Sequence, residues 1–249
     1  MYPKHYFEQF WEAEQRNELF VCMPFDKSFD SRFNAIIKSA AKKAGFENAV
    51  RVDEDKSGNI VLSKIWDGIA NSKMILADLS DDPRCKENHA NGNVLYEVGV
   101  AHAMREPEAV VIIRDQNPQT ADFDVRGFSI NCPPDNTLTE DWLTDLLSSS
   151  LENYRWSLSK RVKSAAESID DIGLYLMLET GGDKHTSTNF NTAKMDAKMK
   201  LSVLRLLELG MIRFLTARAV RPSEHAYHWT AFGYAVMEYL SIPKVSKKK

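Results

Sequence analysis

The chain has too few cysteines for a disulfide framework. Cys22, Cys85 and Cys132 are odd in number and far apart in 249 residues, which excludes a stapled secreted mini-domain and points to reduced thiols. Eleven glycines and nine prolines are too few for a collagen-like or low-complexity chain. No apolar run approaches the roughly 18 residues a spanning helix needs, and Met1 to Asn17 is charged and aromatic, without the apolar core of a signal peptide. A cytoplasmic location is expected. Walker A, G-x-G-x-x-G and G-x-S-x-G motifs are missing, so phosphate-cradle, dinucleotide-fingerprint and serine-hydrolase readings lack their motifs.

The residues present, 43% hydrophobic and 27% charged, can bury a core. The net charge of −3 conceals a division: residues 1–159 carry 17 Lys+Arg against 26 Asp+Glu, a balance of −9, and residues 160–249 carry 15 against 9, a balance of +6. An acidic part joined to a basic part predicts two domains with different partners.

The acidic part alternates strand and helix signals. Leu19 to Phe25 is an apolar strand closed by Pro24, and a helix follows from Asp30 to Gly45. Residues 49–53, 74–78 and 110–113 read as further strands, and 60–72 and about 93–105 as helices. Continuously apolar strands alternating with helices predict a parallel sheet covered on both faces, with ligands beyond the carboxyl ends of the strands. That rim collects Pro24, Phe25 and Asp26; Asp53, Glu54 and Asp55; Asp78; and Asn93, Tyr96 and Glu97. Glu97 is expected in a first helical turn among mostly apolar neighbours, where the backbone dipole alone would favour a carboxylate. Asp78 after a strand can equally be a turn residue. Cys85 and His89 are two ligand types without a second pair, so no metal site is expected. His102 is 140° round the helix from Glu97 and reads as a packing residue.

The blocks Phe20-Val-Cys-Met-Pro-Phe25, Ile75-Leu-Ala-Asp-Leu79 and Asn93-Val-Leu-Tyr-Glu-Val-Gly-Val-Ala-His-Ala103, with Val110–Ile113 and Phe123-Asp-Val-Arg126 behind them, resemble the TIR-like and nucleoside 2-deoxyribosyltransferase-like superfamily over about residues 19–131. The resemblance implies a flavodoxin-like α/β fold. It also implies cleavage of an N-glycosidic bond, with Glu97 attacking or stabilising the anomeric carbon and Asp78 near the sugar hydroxyls or the base. Pro24, Phe25, Asp26, Asn93 and Tyr96 would line the pocket. Such a carboxylate would stabilise or trap an oxocarbenium-like sugar, as in retaining glycosidases. NAD or a related nucleotide is then substrate or ligand, and no resident cofactor is expected. Nicotinamide leaves from a pyridinium without a proton, whereas a neutral purine or pyrimidine needs acid assistance. The segment from Arg84 to Gly92 is longer than the link usual in that superfamily and is expected to overhang the site.

Residues 139–169 read as one or two helices, 172–179 as another, 183–191 as a loop and 192–210 as a long helix. Strands at 211–216 and 226–230 and a helix at 231–240 follow. This order resembles a bacterial winged helix, and the domains expected are 1–135, a helical linker at 136–164, and 165–249. Lys194, Lys198, Lys200, Arg205, Arg218 and Arg221 are the expected nucleic-acid contacts, through phosphates and with little sequence preference. A Lys-rich face that is only solvated, or a winged helix that docks protein, are the alternatives. His225 and His228 face opposite ways on a strand and are discounted as metal ligands. The two-domain architecture looks like that of bacterial anti-phage effectors, including retron-associated ribosyltransferase/DNA-binding effectors, and implies a homo-oligomer. A non-catalytic nucleotide sensor driving a DNA-binding regulator is the alternative function.

Overall fold

Apolar strands long enough to be buried on both faces need helices above and below them, and the chain supplies both layers. The computed structural model describes residues 15–52, 58–84, 89–116, 129–181, 190–191, 195–214 and 226–242. The chain divides into two compact units, Met1–Trp156 and Ser157–Lys249.

Unit 1 opens with β1 (Arg16–Cys22). Helix α1 follows, running as α-helix over Lys27–Ser31, π-helix over Arg32–Ile37 and α-helix over Lys38–Lys43. Next come β2 (Asn48–Val50), α2 (Gly58–Asn71), β3 (Ser72–Asp78), α3 (Gly92–Met104), β4 (Val110–Ile113), β5 (Ile130–Asn131) and α4 (Glu140–Glu167), whose residues from Ser157 onward belong to unit 2. The five strands are all parallel in the order β2-β1-β3-β4-β5, the arrangement of a flavodoxin-like sheet. Alternate residues serve opposite layers. Leu19, Val21, Met74, Leu76 and Val111 pack under α1 and α4, against Phe33, Ile37, Leu143 and Leu147. Phe20, Cys22, Ile75, Ala77 and Ile112 pack under α2 and α3, against Ile65, Ile69, Val94 and Val98.

Unit 2 contains α5 (Asp171–Thr180), β6 (Phe190–Asn191), α6 (Ala197–Glu208), β7 (Ile212–Phe214), β8 (Ala226–Trp229) and α7 (Ala231–Tyr239). Its strands form an antiparallel sheet in the order β6-β8-β7. Each helix starts on a side-chain cap: Asp170 accepts from the Gly173 amide at 2.7 Å, Asp196 from Met199 at 2.8 Å and Thr230 from Gly233 at 3.0 Å. The Ser202 hydroxyl donates to the same Asp170 oxygen at 2.7 Å, so one carboxylate caps α5 and ties it to α6.

Gly233 sits where α7 meets the chain leaving α6. A Cβ there would fall 2.2 Å from the Met211 carbonyl oxygen, which already accepts from the Thr230 amide. Because the obstacle is backbone, Gly233→Ala is expected to destabilise unit 2 by about 1–3 kcal/mol, read as a lower melting temperature.

Several sequence boundaries move. The first strand begins at Arg16 rather than Leu19 and ends at Cys22, so Met23 to Phe25 belong to the loop. The predicted strand at 49–53 is Asn48–Val50, and the strand predicted at 74–78 begins at Ser72, directly after α2. Of the one or two helices expected over 139–169, the chain forms one, Glu140–Glu167, of 28 residues. The predicted loop at 183–191 ends in β6, and the helix predicted at 192–210 is Ala197–Glu208. Among the described residues no helix is long and apolar enough to cross a membrane.

Candidate active site

The order of the sheet reverses between β1 and β3: the chain leaves β1 toward β2 on one side and β3 toward β4 on the other. The loops after these two strands therefore diverge and leave a crevice at their carboxyl ends. A cleft of about 330 Å³ lies there, with Met23, Pro24 and Phe25 after β1 on one wall, Asp82 and Arg84 after β3 on another, and Asn91, Asn93, Val94 and Glu97 at the start of α3.

Helix α3 begins one residue earlier than its sequence suggests. Asn91 is the cap, its side-chain oxygen accepting from the Asn93 amide at 2.9 Å. Glu97 is thus the sixth helical residue, beyond the first turn, and the reading of a dipole-stabilised end carboxylate does not apply to it. It occupies an inward position among Val94, Val98 and Ala101 and is 7% exposed. Burial pushes its carboxyl up to about 7, an effect only partly opposed by the neighbouring Cys22 thiol. A buried acid that titrates near neutrality and opens on a cleft is a poised group.

The loop after β3 carries an ion pair that sequence reading left unassigned. Asp82 is buried and accepts from the Arg84 backbone amide at 2.9 Å, from Nε of Arg84 at 3.0 Å, from its Nη2 at 2.8 Å and from Nδ2 of Asn91 at 2.7 Å. These donors, Arg84 first, hold Asp82 well below the usual carboxylate range. Nη1 of Arg84 donates to the Phe25 carbonyl at 3.0 Å and so joins the two walls. Asp82-Pro-Arg84 and Asn91-Gly92 are turn and cap signals, the trace by which these residues were findable.

Of the residues read from the sequence, Pro24, Phe25, Asn93 and Glu97 come together in the cleft. Asp26 stands at the end of the same loop but caps α1, accepting from the Ser28 amide and hydroxyl at 2.9 and 2.6 Å. Tyr96 is half exposed and is not among the cleft-lining residues. Asp78 is fully buried and not among them either: its carboxylate accepts from Nη1 of Arg32 at 2.7 Å and from the Ser80 amide at 3.0 Å. Arg32 also holds Ser80 Oγ at 3.0 Å and pairs with Asp115. Asp53, Glu54, Asp55 and Cys85 lie outside the described residues. A larger cavity, about 690 Å³, is lined by Arg16, Glu18, Phe20, Lys64, Asp67 and others. It has no buried carboxylate among its described lining residues, whereas the smaller cleft has Glu97.

His102 bonds back through Nδ1 to the Val98 carbonyl at 3.1 Å, and burial lowers its pKa. Among the described residues no group of three or more His, Cys, Asp or Glu is placed to hold a metal.

In unit 2, Lys198, Lys200 and Arg205 are exposed on α6, interleaved with Leu201, Leu204 and Leu207, which are exposed too. Lys194, Arg218, Arg221 and His225 lie outside the described residues. The chain matches no known protein family and no curated protein.

Proposed function

We propose that the chain cleaves the N-glycosidic bond of NAD or a related nucleotide or nucleoside, with Glu97 as nucleophile or electrostatic stabiliser, as an effector of anti-phage defence. The observation that carries this reading is the Glu97 carboxyl, buried to 7% exposure yet facing a cleft at the switch point of a parallel sheet. Its anion would sit beside the anomeric carbon as the base departs, where a fixed negative charge stabilises the oxocarbenium-like transition state or traps the sugar as an ester. Water then attacks that carbon, breaking the bond to Glu97 where an ester has formed; one hydrogen stays on the new sugar hydroxyl and the other leaves to solvent as a proton, the nicotinamide having departed neutral.

The neighbouring acids bear on the choice of substrate. Asp82 is held ionised by Arg84 and Asn91, and Asp78 is paired with Arg32. Neither is placed as a proton donor to a departing neutral base. That supports a substrate whose base leaves without a proton, as the nicotinamide of NAD does, over a neutral purine or pyrimidine nucleoside.

For unit 2 the reading is a winged helix that binds nucleic acid or a partner. Its support is the order of elements, α5-β6-α6-β7-β8-α7, with the sheet order β6-β8-β7. The exposed leucines between Lys198, Lys200 and Arg205 favour a partner surface with apolar groups as well as negative charge. A cytoplasmic homo-oligomer belongs to the same proposal.

The test is to incubate the chain with NAD and, separately, with purine and pyrimidine nucleosides, and to follow free base by chromatography. Nicotinamide release is expected. Recovery of every ligand intact, with tight reversible binding in a titration, would favour the alternative of a nucleotide sensor coupled to a DNA-binding unit.

A further inference from the structure

Helix α6 spends one face on the core: Ser202, Val203 and Leu206 are buried, the last two in the apolar cluster of unit 2. The opposite face of such a helix is ordinarily polar. Here it shows Leu201, Leu204 and Leu207, which are 69%, 51% and 36% exposed. At roughly 100° per residue, Leu201 and Leu207 stand about 60° to either side of Leu204. Lys200 and Glu208, both exposed, stand about 40° to either side of it by the same geometry. Leu204 is therefore the midpoint of the pattern, with Leu201 and Leu207 equally spaced before and after it, and Lys200 and Glu208 likewise.

We propose that α6 is a self-association surface that pairs antiparallel with α6 of a second copy of this chain, its two-fold axis passing at Leu204. In that register Leu204 meets its own counterpart, Leu201 comes level with Leu207 of the second copy, and Lys200 comes level with Glu208 of the second copy. Each contact occurs twice, as a two-fold interface requires. The reverse arrangement, two parallel helices, would set Lys200 against Lys200 and Glu208 against Glu208. Charge thus selects the antiparallel pair, and the leucines supply the apolar centre.

A nucleic-acid duplex is less well matched to this face. Its phosphates would suit Lys200 but would repel Glu208 and leave the three leucines against a polar, charged surface. Lys198 and Arg205 stand about 100–120° round from Leu204, on the flank of the helix, and stay open beside the pairing. Two helices of this length, roughly 18 Å at 1.5 Å per residue, meet over an area at the low end for a specific interface, so the dimer dissociates on dilution. The proposal deepens the homo-oligomer of the proposed function and rests on it, not on the chemistry at Glu97.

The experiment is sedimentation equilibrium of the full chain over a concentration series, for wild type, Leu204→Arg, Lys200→Glu and Lys200→Glu combined with Glu208→Lys. Wild type is expected to pass from monomer to dimer as concentration rises. Leu204→Arg sets two like charges face to face on the axis and should raise the dissociation constant at least about 100-fold. Lys200→Glu should raise it about tenfold, and the combined exchange, which restores opposite charges across the axis, should return it to within about threefold of wild type. All four positions of change are exposed, and far-UV circular dichroism checks that each variant keeps its helices. A dimer untouched by Leu204→Arg, or a Lys200→Glu loss that the combined exchange does not reverse, would overturn this interface while leaving a homo-oligomer standing. A wild type that stays monomeric at every concentration would overturn both. In a parallel arm with labelled duplex DNA, a monomeric wild type whose binding is lost on Lys200→Glu would assign the face to nucleic acid instead. Base release from NAD is measured separately, so its failure leaves this result intact.

Discussion

Glu97→Gln should lose base release by at least about 100-fold, the scale on which a single electrostatic contact to a transition state is felt, while becoming more stable than wild type at pH 8. Glutamine keeps the shape of the side chain and removes the charge, so the two effects have opposite signs for one reason. In the unfolded chain the carboxyl titrates near its ordinary 4.5; in the folded chain it titrates at about 7. Between these values the folded state binds more protons than the unfolded state, so stability falls as pH rises across that window. The full loss is about 3 kcal/mol by pH 8, from a shift of about 2.5 units at 1.36 kcal/mol each. Urea unfolding at pH 5 and pH 8 reads this directly: wild type should weaken between the two, and the glutamine variant should be free of that contribution. Equal pH dependence in both proteins would show that Glu97 is not the buried acid described here. For the same reason, wild-type base release should climb through about pH 7 as the carboxylate ionises.

Arg32→Met should destabilise unit 1 by about 3–5 kcal/mol, a large part of the roughly 5–15 kcal/mol that holds a domain together. Arg32 is the cation between two carboxylates: Asp78, fully buried and 2.7 Å away, and Asp115, which also pairs with it. The same guanidinium donates to Ser80 Oγ at 3.0 Å, and that hydroxyl accepts from the Asp115 amide at 3.0 Å. Methionine fills the volume of the stem and removes the cation with which both acids pair. Arg32→Met combined with Asp78→Asn and Asp115→Asn should recover most of the loss. A denaturant midpoint for Arg32→Met indistinguishable from wild type at pH 7 would mean that this cluster does not stabilise the fold.

These two sites also mark how far the sequence could be read. The parallel sheet was legible because Met74–Ala77 and Val110–Ile113 are apolar without alternation, a pattern only a doubly covered strand shows. The rim position of Glu97 followed from the same rule, and Pro24, Phe25 and Asn93 came with it. Tyr96 did not: its side chain is half exposed and does not line the cleft. Asp78 lies at the predicted strand end, but its partner Arg32 arrives from a π-helical turn 46 residues earlier, and no local pattern announces such a pairing. Cys22 reads as one more apolar residue of a buried strand, and it is buried in the layer of α2 and α3. The two-residue strand β6 is too short to carry any periodicity.

Asn91 is bound at both ends of its amide. The oxygen starts α3 by accepting from Asn93, and the nitrogen holds Asp82 at 2.7 Å. The residue after it is Gly92, the neighbour beside which an asparagine amide hydrolyses most readily through a cyclic imide, a route that opens here only when these two hydrogen bonds break. Conversion to aspartate would keep the oxygen that starts the helix but exchange the donor for a second acid against Asp82. The wall of the cleft would then repel itself, with no change in any residue the gene encodes. Storage history thus becomes a variable of the protein, and a one-dalton mass increase at Asn91 its ledger.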